Sequence, residues 1–163
     1  MKTILASLLI ASVRLSFGSE QLHVEVEHGK VSGLVLDEET HLRVFRGIPY
    51  AAPPVGELRW RLPKPPEKWE GVRKCDQFSA AAPQKLKNNA SISLSEDCLY
   101  LNIWTKRAGK PEANLPVMVW IHGGGLNQGH GHKGYSDGEG FANRNVVLCL
   151  LYTSDAADEV VSV

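Results

Sequence analysis

The stretch from Leu115 to Gly125 places the tightest limit on what this chain can fold into. Val117 to Ile121 is a continuous apolar run, Val-Met-Val-Trp-Ile, entered from Pro116 and stopped by His122 and three successive glycines, Gly123 to Gly125. An apolar run of this kind between a proline and a glycine cluster suits a strand buried on both faces in the middle of an α/β sheet. A strand that ends on glycines can turn sharply and bring its backbone N–H groups close to a ligand. An anionic oxygen accepting two such N–H bonds would sit in an oxyanion hole. Taken alone, the same string also fits a phosphate cradle or a plain loop.

Composition narrows the partners. With 18 Lys+Arg against 18 Asp+Glu in 163 residues, the chain has no electrostatic footprint for nucleic acid or an anionic membrane surface. At 43% hydrophobic and 22% charged it is too apolar for a wholly disordered chain. Three cysteines are too few for a dense disulfide scaffold or a four-cysteine zinc site.

The first residues read as a targeting segment. Met1-Lys2 gives a positive start, Thr3 to Val13 is a short apolar core ended by Arg14, and Ser16 and Gly18 are small residues placed for a cut after Gly18. This predicts a signal peptide over 1–18 and a secreted or lumenal mature chain. The apolar core falls short of the roughly 20 residues that span a bilayer, and no later stretch reaches that length, so no membrane span is expected.

Short strands follow. Val24 and Val26 alternate with Glu25 and Glu27, Gly29-Lys30 turns the chain, and Val31 to Leu36 is the expected return strand of a hairpin. Leu42 to Phe45 is a third strand. Six prolines between Gly47 and Pro66 dictate irregular backbone, and the aromatic side chains of Tyr50 and Trp60 within it favour an ordered loop packed on a body. Leu99 to Thr105 and Val146 to Leu151 are further strands, and Asp137 is placed to cap a short helix over Glu139 to Arg144.

Several long motifs stand in order along this frame. Phe45-Arg46-Gly47-Ile48-Pro49-Tyr50-Ala51-Ala52-Pro53-Pro54-Val55-Gly56 is followed by Leu58-Arg59-Trp60-Arg61 and by Trp69-Glu70-Gly71-Val72. Glu96-Asp97-Cys98-Leu99-Tyr100-Leu101-Asn102-Ile103-Trp104 comes next, and Leu115 to Gly125 lies downstream of it. Over residues 22 to 148 the chain resembles the type-B carboxylesterase and cholinesterase family. The resemblance implies the N-terminal portion of an α/β-hydrolase fold, with short antiparallel strands leading into a central mixed sheet left incomplete. It also implies a serine hydrolase that cleaves small-molecule carboxylic esters through an acyl-enzyme; no cofactor and no metal are expected. By the same resemblance Gly124 and Gly125 supply the oxyanion donors, and Arg59 and Glu96 form an ion pair.

The chain departs from the family pattern in three places. Family members are several times longer, and their nucleophilic serine, acidic residue and histidine fall beyond the matched stretch. Residues 149–163, beginning Cys149-Leu150-Leu151-Tyr152, read as a tail from a frameshift or chimera, so 19–148 is expected to be a fragment cut after the first strands of its sheet, which exposes the edge of the Val117–Ile121 strand and leaves its apolar faces uncovered. The family cysteine that bridges to the position of Cys98 would fall at Ala82. Here Cys75 stands seven residues earlier, so either a Cys75–Cys98 bridge or two buried thiols is expected. Asn89-Ala90-Ser91 is a glycosylation sequon.

Two further patterns invite a functional reading. Gly134-Tyr135-Ser136-Asp137-Gly138 fits the G-x-S-x-G nucleophile string literally, but the polar stretch before it supplies no strand to lift the serine. It is read as a surface loop. His122, His130 and His132 lack a partner at metal-ligand spacing, so the last two are read as solvated loop histidines. His122 is expected to brace the glycine loop through its ring nitrogens. A non-catalytic cholinesterase-like adhesion domain is the alternative to an esterase, and the intact glycine triplet favours the enzyme.

Overall fold

Val24 and Val26 turn one side of a short strand inward, and that alternation starts the first of two sheets. The structure, a computed structural model, describes residues 23–85, 92–125, 128–132 and 138–151. Strand β1 (His23–Val26) pairs antiparallel with β2 (Gly29–Ser32), and β2 pairs in parallel with β5 (Val72–Lys74). The second sheet takes β3 (Leu34–Asp37), β4 (Leu42–Pro49), β6 (Tyr100–Thr105), β8 (Val147–Leu151) and β7 (Val117–Ile121), in that order across the sheet. All its pairings are antiparallel except β7 with β8, which is parallel. The sheet is therefore mixed.

The expected single return strand over 31–36 is two strands in two sheets. Gly33 divides them where the chain passes directly over β4, against the Val44 carbonyl and the Phe45 ring, leaving no space for a side chain. The pairing of β4 with β6 slips between Phe45 and Ile48. There Asn102 of β6, fully buried, accepts a hydrogen bond from the Gly47 N–H at 2.9 Å and supplies the partner that the bulged ladder withholds.

Side-chain alternation along β4 builds two cores. Leu42 and Val44 join Trp104, Leu148, Leu150 and Ala142 on one face, and a short helix α1 (Glu139–Ala142) contributes that alanine. Phe45 and Ile48 meet Val31 and Cys75 on the other face, where the three-stranded sheet covers them. The helix starts at Gly138 and ends at Ala142, short of the expected Arg144; the expected cap, Asp137, lies outside the described residues.

The expectation of burial on both faces fails for β7. It is the edge strand of the larger sheet, and all five of its residues are exposed, from 41% at Met118 and Trp120 to 63% at Val117. The separate expectation, an exposed edge at Val117–Ile121, describes what is seen. No helix among the described residues is long and apolar enough to cross a membrane.

The predicted signal segment, the Asn89 sequon and Ser136 lie outside the described residues, as does the tail from Tyr152 onward. Cys149 to Leu151 of that expected tail do form part of β8, in register with Val119 to Ile121.

Candidate active site

The C-terminal end of β7 delivers the glycine triplet to the surface. Gly125 takes a φ of 60°, a left-handed conformation that side-chain-bearing residues seldom adopt. Gly124 lies hard against the Gln128 carbonyl, so any side chain there would push the loop apart. Both residues are solvent-exposed. The glycines are thus needed by the backbone itself, and the loop they form folds back at once upon Gln128 and Gly129.

A residue far away in sequence holds that fold-back. Gly129 donates its N–H to Gln84 Oε1 at 2.7 Å, and Gln84 Nε2 donates to the Gly129 carbonyl at 2.8 Å. The same Nε2 donates to the Ala82 carbonyl at 3.1 Å. Sequence reading passed over Gln84, since nothing in a spacing of 45 residues ties it to the glycine loop.

His122 braces the loop by packing more than by hydrogen bonding. Its ring lies against Gly129, its Nδ1 is 3.3 Å from the Gly123 carbonyl, and its Nε2 is buried without a hydrogen-bond partner. The expectation of two bracing ring bonds is therefore met by one long contact. His130 and His132 are not solvated as expected. His130 is buried, and its Nδ1 accepts from the His132 N–H at 3.2 Å. The His132 ring packs at a tilt against Phe78, centroids 4.6 Å apart, and its Nε2 lies 3.1 Å from the Ser79 carbonyl. Burial, with help from neighbouring His130 and Arg46, pushes His132 down to about 4. Among the described residues no group of three or more His, Cys, Asp or Glu side chains is arranged to hold a metal.

Arg59 and Glu96 come together at the other end of this region. Arg59 Nη2 lies 2.8 Å from Glu96 Oε1, with the two side chains 55% and 41% exposed. The pair borders a surface cleft with Pro54, Trp60, Ala82 and Pro83. It joins the proline-rich loop to the segment leading into β6. Ala82 and Pro83 are also the residues just before Gln84, so the ion pair and the glycine loop are supported by one short segment.

Of the two cysteine readings, the two buried thiols are what is seen, and no Cys75–Cys98 bridge is formed. Cys75, Cys98 and Cys149 all carry thiols. The Cys75 backbone is fixed from both sides, its N–H donating to Ser32 and its carbonyl accepting from Arg46, each at 2.7 Å. That anchoring commits its side chain to the core with Val31, Phe45 and Ile48, to which Cys98 does not belong. Burial pushes the Cys75 thiol up to about 11, which keeps it protonated and unreactive at neutral pH.

Known proteins share this frame. The model of the carboxylesterase family matches residues 20–151. The chain is 45% identical over 126 residues to fumonisin B1 esterase of Sphingopyxis macrogoltabida, covering 75% of this chain and 22% of that enzyme. It is 39% identical over 132 residues to para-nitrobenzyl esterase of Bacillus subtilis (strain 168), covering 78% of this chain and 26% of the relative. The solved carboxylesterase EST55 of Geobacillus stearothermophilus superposes with a TM-score of 0.69 at 39% identity, over 80% of this chain and 26% of that one. The chain thus spans about a quarter of the length of the curated relatives it matches. The fold is a part of the α/β-hydrolase fold of these carboxylesterases, and the chain belongs to the carboxylesterase family.

Proposed function

We propose that this chain supplies the oxyanion-binding part of a serine-type carboxylic ester hydrolase. The observation that carries the reading is the Gly124–Gly125 pair at the end of β7, one residue pressed against a carbonyl and the next in a left-handed conformation. In the proposed reaction a serine oxygen attacks the ester carbonyl carbon, and the carbonyl oxygen takes up the negative charge. The N–H groups of Gly124 and Gly125 donate to that oxygen. Collapse of the intermediate expels the alcohol, leaves an acyl-enzyme, and water then releases the acid by the same route. The serine, its histidine and the acidic residue are assigned to no residue of this chain.

The chain is expected to be inert by itself, because donors without a nucleophile and its base have no oxyanion to stabilise. The test joins it to the remaining portion of the Bacillus subtilis para-nitrobenzyl esterase and follows hydrolysis of p-nitrophenyl acetate. Gly124→Ala keeps the N–H but drives the loop off the Gln128 carbonyl, and the misplaced donor should lower kcat by about 10²-fold. A kcat unchanged by Gly124→Ala would remove the oxyanion role. In the chain alone, any hydrolysis lost on Ser136→Ala would show that the Gly134–Gly138 string is a nucleophile elbow after all. A leader cut after Gly18 and a sugar on Asn89 are also proposed. N-terminal sequencing and a glycosidase-dependent mass shift of secreted protein test them.

A further inference from the structure

We infer that Gln84 is a positioning residue for the oxyanion donors, acting as a two-point clamp on the Gly129 peptide; this rests on the ester-hydrolase reading above. A carboxamide is the one neutral side-chain group that offers a donor and an acceptor side by side in a plane, as a neighbouring β-strand does. Gln84 uses both on a single residue, taking the Gly129 N–H at 2.7 Å and giving to the Gly129 carbonyl at 2.8 Å. Its second N–H bonds Ala82 at 3.1 Å, so the amide's two donors and its oxygen are all engaged and its orientation is fixed.

The clamp reaches the glycines through direct contact. Gly129 is seated against the His122 ring and the Gly123 carbonyl, and the Gln128 carbonyl abuts Gly124. Fixing the Gly129 peptide therefore fixes the wall against which Gly124 rests. The strand that carries the glycines cannot do this by itself. Among the described residues its single sheet neighbour is β8, and all five of its residues are exposed. The glycine loop is thus located from the opposite side, by a segment whose own place is set by backbone bonds between Ala81 and both Ser93 and Ser95.

The role requires both halves of the amide, which separates positioning from simple filling of space. Gln84→Ala removes both. Gln84→Glu keeps the shape and the acceptor for the Gly129 N–H, but sets a carboxylate oxygen against the carbonyls of Gly129 and Ala82. Hydrogen exchange in the full 163-residue chain reads the clamp without any catalysis. Gln84→Ala should speed exchange at the Gly129 amide by about tenfold, the effect of about one net hydrogen bond. Amides of β6 and β8 should be unchanged.

In the chain joined to the esterase remainder, both variants should lower kcat by about 10–100-fold with KM moved less than about twofold, as misplaced donors would. Unaltered Gly129 exchange in Gln84→Ala, or an unaltered kcat in Gln84→Glu, would overturn the clamp. If Gly124→Ala leaves kcat intact while Gly129 exchange still rises in Gln84→Ala, the oxyanion reading fails and the clamp on the loop stands.

Discussion

Strands β7 and β8 lie side by side in one sheet, are five residues each and are wholly apolar, yet they sit in opposite environments. Leu148 and Leu150 of β8 are 2% and 1% exposed, beneath Trp104, Val44 and the Ala142 of α1. Every residue of β7 is exposed. Composition does not separate them; neighbours do. β8 is paired on both edges and covered on one face, whereas β7 has, among the described residues, one paired edge and five exposed side chains. An apolar run announces a demand for burial, and only other parts of a molecule can meet it.

That contrast can be broken most directly by truncating one side chain in each strand. Leu150→Ala should cost about 2–5 kcal/mol in urea unfolding, since it opens a cavity in a packed core. Val119→Ala in β7 should change stability by less than about 0.5 kcal/mol. Equal costs would mean that β7 is covered in solution by something else, a second copy included.

Acid probes the packed side in another way. An exposed histidine titrates near 6.5, whereas His132 in the fold titrates near 4. Between these values the unfolded chain binds the extra proton, so stability is full above about pH 6.5 and falls as the pH drops toward 4. The loss attributable to this residue should be about 1–3 kcal/mol. His132→Asn should flatten the slope over that window in pH-dependent melting, and a slope that persists would place the acid sensitivity elsewhere.

The Arg59–Glu96 pair is a milder test, because both side chains are about half exposed to water. Glu96→Ala should cost less than about 1 kcal/mol, and less again in high salt. A larger loss in the melting temperature at low salt would show that the pair pins the loop rather than decorating it. The smallest effect on stability is expected for Val119→Lys. It should leave the unfolding midpoint almost unmoved while reducing concentration-dependent association seen by light scattering, because a charge on an open edge opposes strand pairing.

Much of this fold was legible before any coordinates. The bounds of β7 follow from Pro116 and the glycines, and β1 follows from the alternation of valine with glutamate. The errors share a cause, which is contact between segments remote in sequence. The break at Gly33 exists because Phe45 lies underneath it, and nothing local to Val31–Leu36 says so. Three residues of β5, Val-Arg-Lys, carry too little pattern to read, and they become a strand by lying along β2. His130 and His132 look solvated in their own Gly-rich surroundings, but Phe78 and Ser79 arrive from another segment to cover them. At the candidate site the glycines were readable because their backbone needs are local. Gln84 was not, because its chemistry is generic and its partner lies 45 residues away.

The order of the larger sheet has a kinetic side. Apart from the β3–β4 hairpin, its strands pair with partners far along the chain, Val44 with Trp104 and Ile103 with Cys149 among them. Each pairing must close a long loop before any contact rewards it, so folding belongs to the slow regime of non-local β topologies, on the order of milliseconds to seconds. Throughout that search the apolar strand that ends in the glycine loop is available to any other chain that meets it. The yield on refolding should therefore be set by dilution as much as by stability.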